Sequence, residues 1–158
     1  MSSSDACDVR EALDVFEARR RVRELCLRVG FSHHVALELE LVASELCTNI
    51  LKYGVRGALE LRHARDTDGA AFVEIVARDE GPQFHDLASA LRDGYDDRGP
   101  IDPGAVSRRG GLGTGLGTVV RLTHSLSVEP ERVGKRITVR RYASQPPPAR
   151  VDDRADEK

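Results

Sequence analysis

The chain has 158 residues, with 24 Lys and Arg against 26 Asp and Glu, and a formal net charge of −2 at pH 7. This length fits one domain with a single hydrophobic core, and the interspersed charges leave no basic stripe for nucleic acid. No apolar run suits a signal peptide or a membrane span, so we expect a cytoplasmic protein without a membrane partner. The three cysteines fit neither a disulfide framework nor a zinc site and are expected as free thiols.

The N-terminal region predicts an arm followed by a helix. Residues 1–13 are consistent with a short edge strand or with the start of a helix. From Asp14 apolar residues recur at helical spacing, and Gly30 is suited to end the helix because glycine adopts the left-handed conformation readily. The opposite face carries arginines that indicate either a solvated face or a docking surface: Arg19, Arg20, Arg23 and Arg28.

A second helix is predicted from Val35 to Tyr53, with Ser32 placed to cap it. Its apolar residues recur in alternating steps of three and four, which places them along one side of the helix. Glu45 and Asn49 lie one turn apart beside this stripe. A half-buried carboxylate can accept a proton, and a carboxamide oxygen can complete the shell of a Mg²⁺ ion that also binds phosphate. The alternative is that both residues make only local hydrogen bonds.

Two antiparallel strands are predicted next, because apolar and polar residues alternate at 59–62 and again from Ala71 to Ala77. The second strand runs into Asp79 and Gly81. An acid at a strand end beside a glycine suits a binding site that the backbone must approach closely. A simple turn cap is the alternative role of Asp79.

A glycine-rich segment, GGLGTGLG at 110–117, follows a long loop at 93–109 and precedes a further apolar helix. Backbone amides that turn inward at a helix start form a cradle suited to a polyphosphate, although a flexible linker is the alternative. Two closing strands are predicted at 127–129 and 136–142. Residues 143–158 are proline-rich and charged, and we expect a disordered tail.

Four features therefore occur in one order: a helix with the ExxxN pair, a strand that ends in DEGP, a loose loop, and a glycine-rich turn that opens a helix. This combination resembles the GHKL, or Bergerat-fold, ATP-binding superfamily. The motifs SELCTNILKYG, DEGP, GGLGTGLGTVVRL and TVRRY resemble most closely the bacterial anti-sigma regulatory serine/threonine protein kinases of the RsbT type. The resemblance covers residues 14–142 and implies an α+β two-layer sandwich, with a mixed, mostly antiparallel sheet and helices packed on one face.

The resemblance also implies ATP and Mg²⁺ as cofactors and gives roles to individual residues. Glu45 would be the general base, and Asn49 would bind Mg²⁺ and so contribute to the ATP site. Asp79 would bind the adenine amino group, with Gly81 allowing the base to approach. The phosphates would be wrapped by the glycine-rich segment: Gly111, Leu112, Gly113, Thr114, Gly115, Leu116 and Gly117.

The implied activity is phosphorylation of a STAS-domain anti-sigma antagonist protein. Relatives of this type also bind a sigma factor or a PP2C-type phosphatase, and a homodimer is a family expectation. The alternative function is a non-catalytic or weakly ATP-binding module that sequesters a sigma factor or activates such a phosphatase without transferring phosphate.

Three departures from the family pattern favour that alternative. Gln83 stands where the DxGxG pattern has glycine, and a positive φ there would cost roughly 1–2 kcal/mol. Gly134 and Lys135 replace the late glycine-threonine step, which is expected to loosen the floor of the adenine pocket. The lid is longer around residues 100–107, and Arg108 and Arg109 beside it are candidates for neutralising phosphate charge.

Overall fold

The structure is a computed structural model that describes residues 5–92, 95–96, 99–100 and 115–144. Seven strands and four helices are described within these ranges. In chain order they are β1 Asp5–Val9, α1 Ala12–Arg28, α2 His33–Tyr53, β2 Gly57–Arg65, β3 Ala71–Asp79, α3 Leu87–Ala90, β4 Tyr95–Asp96, β5 Gly99–Pro100, α4 Leu116–Leu122, β6 Ser125–Pro130 and β7 Lys135–Tyr142. The predicted tail at 143–158 lies outside the described residues after Ser144.

The N-terminal arm forms an edge strand over the part that the structure describes. Strand β1 pairs antiparallel with β2, and its buried residues Cys7 and Val9 alternate with exposed ones. Helix α1 begins at Ala12, two residues before the predicted start, because the Asp14 carboxylate accepts hydrogen bonds from the backbone N–H groups of Arg10 and Glu11. Capping therefore fixes the boundary that the apolar spacing alone had placed too late.

The sheet confirms the predicted two-layer α+β fold with one correction. Its five strands have the order β1-β2-β3-β7-β6, and every pairing among the described strands is antiparallel. The expectation of a mixed sheet was therefore wrong for this part of the chain. The reason is that β2–β3 and β6–β7 are hairpins, and β7 returns beside β3 in the opposite direction.

The two faces of the sheet differ in chemistry. Leu59, Leu61 and Ile75 belong to the face that the helices cover and are fully buried. On the uncovered face, the Glu74 carboxylate binds Arg62 on one neighbouring strand, with 2.7 Å between Nη2 and Oε1, and Arg140 on the other. This alternation of apolar and charged residues fixes which face of each strand meets the helices.

Helix α2 is the central element of the helical layer. It packs against α1, α4, β2 and β3, and the backbone N–H of Val35 donates a hydrogen bond of 3.2 Å to Ser32 Oγ, which confirms the predicted cap. The arginine face of α1 is partly structural, because Arg19 and Arg23 both form ion pairs with the buried carboxylate of Glu40 on α2. Neither of these two arginines is therefore simply solvated.

The three cysteines are free thiols, as predicted, and all of them are buried. Burial raises the pKa of Cys26 and of Cys47 to about 12, so both stay protonated and unreactive near neutral pH. In the described ranges, no helix combines the length and the apolar character that crossing a membrane requires.

The packing of α2 predicts a large difference between two leucines on the same helix. Leu39 is 1% exposed, whereas Leu37 is 49% exposed. We expect Leu39→Ala to lower the free energy of unfolding by about 2–5 kcal/mol, because it leaves a cavity in the core. The matched control Leu37→Ala should change it by no more than about 0.5 kcal/mol. Urea denaturation measures both, and equal losses would contradict the packing of α2.

Candidate functional site

The C-terminal half of α2 presents a polar face beside the core. Glu45, Asn49, Lys52 and Tyr53 follow one another at steps of four, three and one, which places them on the same side of the helix. Lys52 and Tyr53 line a cavity of about 610 Å³, together with Pro82, Gln83, Phe84, His85 and Lys135. Helical spacing from the Glu45–Asn49 pair could have identified Lys52, which the sequence reasoning missed.

Glu45 is a buried acid in an unusual setting. Four carboxylates are buried in the part of the chain that the structure describes: Glu40, Glu45, Glu74 and Asp79. The other three form ion pairs with arginine or lysine, whereas no such pair of 4.0 Å or less is found for Glu45 among the described residues. Its Oε1 atom is buried and accepts no hydrogen bond from them. A buried carboxylate without a salt bridge is costly for stability and therefore indicates function.

The environment of Glu45 shifts its proton affinity. Burial raises the pKa of the carboxyl group, and this effect exceeds the lowering by the charge of Lys52 and by a hydrogen bond from the backbone N–H of Gly115. A raised pKa makes the carboxylate a better proton acceptor while it is ionised.

Gly115 joins the glycine-rich segment to α2. Its φ of 61° and ψ of −150° lie in a region that only glycine occupies readily, and it is the N-cap of α4, which packs against α2. The structure thus brings the predicted Gly115 to the predicted Glu45, and Leu116 and Gly117 follow as buried residues. The remaining predicted residues of this region lie outside the described residues: Arg108, Arg109, Gly111, Leu112, Gly113 and Thr114.

Asp79 lies at the end of β3, as predicted, and it caps the turn that follows. Its Oδ1 atom accepts a hydrogen bond of 2.8 Å from the backbone N–H of Gly81. A Cβ atom on Gly81 would lie 2.6 Å from the backbone oxygen of Tyr53, so glycine is needed for the close approach of this turn to the end of α2. Asp79 therefore caps this turn, which was the alternative role predicted from the sequence.

Asp79 also forms a buried ion pair that the sequence reasoning missed. Lys135 is its direct partner across the β3–β7 pairing. The Lys135 Nζ atom donates to Asp79 Oδ1 at 3.0 Å and to the carbonyl oxygen of Pro82 at 2.8 Å. The two side chains are only 2% and 3% exposed. The available signal was the position of Lys135, which alternation along β7 places on the same face as the buried Ile137 and Val139.

Two consequences expected from the family departures were wrong. Arg56 is the non-glycine residue with a positive φ among the described residues, so Gln83 does not carry the predicted strain. The side-chain Nε2 of Gln83 instead donates to the carbonyl oxygen of Gly134. Gln83 and Lys135 therefore both tie the turn after β3 to the β6–β7 turn, and the pocket floor is held rather than loosened.

Asn49 is the residue at this site that could hold a metal ion together with a phosphate group. No group of three or more His, Cys, Asp or Glu side chains that could hold a metal is found among the described residues. Magnesium at phosphate sites takes most of its ligands from phosphate and water, so one side-chain oxygen on the protein can be enough. Asn49 offers such an oxygen one turn from Glu45.

The raised pKa of Glu45 predicts how stability varies with pH. The folded state binds this proton more tightly than the unfolded state, so Glu45 lowers stability as pH rises from the ordinary glutamate pKa through the raised one. We expect Glu45→Gln to be more stable than wild type near neutral pH, with a difference that shrinks towards about pH 4. Urea denaturation across this range measures it, and a pH-independent difference would contradict the shift.

Comparison with known proteins gives the family of the chain. The model of the family described as the histidine kinase-like ATPase domain matches residues 9–141, which include Glu45, Asn49, Asp79 and the glycine-rich segment. The chain is 27% identical over 128 residues to the serine/threonine-protein kinase RsbT of Bacillus subtilis (strain 168), a match that covers 81% of this chain and 87% of that protein. The chain belongs to the histidine kinase-like ATPase domain family.

Proposed function

We propose that this chain is an ATP-dependent serine/threonine protein kinase of a partner-switching pathway. The observation that carries the proposal is the meeting of the buried Glu45 carboxylate with the backbone of Gly115. An acid with raised proton affinity thereby lies where the glycine-rich segment enters α4. The similarity to a serine/threonine-protein kinase supports the same activity.

In this proposal Glu45 is the general base. It accepts the proton of a serine or threonine hydroxyl on the partner as the hydroxyl oxygen bonds to the γ-phosphorus and the bond to ADP breaks. The buried Oε1 atom, which accepts no hydrogen bond from the described residues, is the acceptor that a hydroxyl group could use. ATP would supply the phosphoryl group, and a Mg²⁺ ion held by Asn49 would neutralise charge on its oxygens.

The other site residues bind and orient the nucleotide. Asn49 would hold Mg²⁺ through its side-chain oxygen, and Lys52, on the same face of α2, adds a positive charge near the acid. The glycine-rich segment from Gly111 to Gly117 would wrap the phosphates with backbone amides. Asp79 and Gly81 would form the base end of the pocket, which the cavity beside Lys135 continues.

The proposed protein substrate is a STAS-domain antagonist, which would present the hydroxyl group to Glu45. This part of the proposal rests on the RsbT-type resemblance of the motifs. Incubation with γ-labelled ATP and the STAS-domain proteins of the same organism would identify the substrate by its labelled serine or threonine.

We expect Glu45→Gln to lower the rate of phosphoryl transfer about 10²- to 10⁴-fold, which is the usual contribution of a general base. The Kd for Mg-ATP should change little, because the variant keeps the shape of the side chain and a group that can accept from Gly115. Single-turnover transfer to the STAS-domain substrate and calorimetric titration with Mg-ATP measure the two quantities.

The control is Glu40→Gln, a second buried glutamate on α2. Its carboxylate is paired with Arg19 and Arg23 of α1, so the variant should lose stability and keep its transfer rate per folded molecule. Equal rate losses in the two variants would assign the effect to folding and reject Glu45 as the base.

A second function is favoured by the buried ion pair between Lys135 and Asp79. A module whose base-binding carboxylate is already paired would bind ATP weakly and act by holding a sigma factor or a PP2C-type phosphatase. Thermal unfolding separates the two functions. A kinase at Mg-ATP concentrations of 100 times Kd should gain about 2.7 kcal/mol of stability, whereas the weakly binding module should gain little at millimolar Mg-ATP.

A further inference from the structure

The carboxylate at the base end of the pocket is already engaged within the protein. Asp79 Oδ1 accepts from both the backbone N–H of Gly81 and the ammonium group of Lys135, at 2.8 Å and 3.0 Å. A carboxylate that is neutralised by an adjacent ammonium group is a weaker acceptor for a neutral amino group than a free carboxylate. Any purine that donates to Asp79 must therefore compete with Lys135.

Access to Asp79 is closed as well. Its side chain is 3% exposed and that of Lys135 is 2% exposed. The Lys135 ammonium lies 5.3 Å from the centre of the Phe84 ring and donates to the carbonyl oxygen of Pro82. A base in the cavity meets the residues around this ion pair first and reaches the carboxylate only after the lysine side chain moves.

A second contact holds the same two turns together. Gln83 Nε2 donates to the carbonyl oxygen of Gly134, next to Lys135 in the chain. Gly134 has a φ of 82°, and a Cβ atom there would lie 1.8 Å from the backbone oxygen of Asp79. The β6–β7 turn is thus seated directly on the end of β3, and this contact fixes where the lysine emerges.

We propose that Lys135 determines the affinity and the base selectivity of the nucleotide pocket by occupying the carboxylate of Asp79. This inference rests on the proposed nucleotide-binding function. In the wild-type chain, binding of a 6-aminopurine requires the buried ion pair to open, and this requirement weakens ATP binding. Replacement of Lys135 by a short hydroxyl residue frees Asp79 to accept the amino group.

The same pair changes which purines the pocket can distinguish. The amino group of adenine donates hydrogen bonds and needs an acceptor, whereas the 6-oxo group of hypoxanthine accepts them and suits an ammonium donor. A pocket that presents both an ammonium donor and a carboxylate acceptor should bind the two purines with similar affinity. Inosine triphosphate (ITP) differs from ATP at this edge of the base and is therefore the matched probe.

The experiment measures the Kd values of Mg-ATP and Mg-ITP by calorimetric titration for wild type, Lys135→Thr and Lys135→Met. We expect wild type to bind the two nucleotides with similar Kd values. Lys135→Thr should bind ATP about tenfold tighter, the effect of one regained hydrogen bond to a charged group, with a smaller change for ITP. Lys135→Met keeps the apolar stem in place and should shift the ATP-to-ITP ratio in the same direction.

The matched control is Arg136→Thr, which removes the same charge from the adjacent position of β7. Arg136 pairs with Glu129 and Glu131 away from the pocket, so this variant should keep the wild-type Kd values. Circular dichroism before each titration confirms that a variant is folded. The ratio of the ATP and ITP Kd values of wild type tests the inference without any variant.

Two results would overturn the inference and leave the proposed function intact. One is a wild-type chain that binds ATP more than about tenfold tighter than ITP, since Asp79 would then read the amino group despite Lys135. The other is a folded Lys135→Thr variant with unchanged or weaker ATP affinity. If neither nucleotide binds to wild type or to either variant, the proposed nucleotide-binding function fails and the inference fails with it.

Discussion

The burial of helix α2 on several sides is the constraint from which the rest of the molecule follows. The helix packs against α1, α4 and the sheet at once, and nine of its 21 residues are buried. A polar side chain on such a helix must be paired, reach the rim, or remain at a cost in free energy. Glu40 is paired, because its carboxylate forms ion pairs with the two arginines of α1. Glu45 remains buried at a cost in free energy, which makes it the chemically distinctive residue of the helix.

The two ends of the candidate site differ in how their carboxylates are compensated. At Glu45 the described residues offer a backbone N–H and the charge of Lys52, and burial is the dominant effect on the pKa. At Asp79 a backbone N–H and a buried ammonium group are both in direct contact. The first arrangement keeps an acid basic and leaves its Oε1 atom without a hydrogen-bond donor among the described residues, whereas the second neutralises an acid with a direct ion pair. The carboxylate at the proposed catalytic end of the pocket is thus weakly compensated, whereas the carboxylate at the proposed base end is paired with a cation.

Much of this fold could be predicted from local spacing. The stripe from Val35 to Tyr53 located α2 to within two residues, because burial on one side of a helix leaves a period that a sequence displays. The Glu45–Gly115 contact could be anticipated only through the resemblance, since nothing local relates these positions. The pairing of Asp79 with Lys135 depends on the β3–β7 register, which no neighbouring residues encode. The expectation of a mixed sheet came from the family resemblance and not from local spacing.

The uncovered face of the sheet has a consequence for how copies of this chain behave at high concentration. Glu74 is held between Arg62 and Arg140 from the two adjacent strands, so this surface carries ions where a sandwich protein would carry apolar side chains. Two such faces meeting would have to strip water from several paired guanidinium and carboxylate groups, because Arg78 and Arg136 on the same face also pair with glutamates. The charged face of the sheet therefore disfavours face-to-face stacking of two copies, and no third layer is needed to cover it.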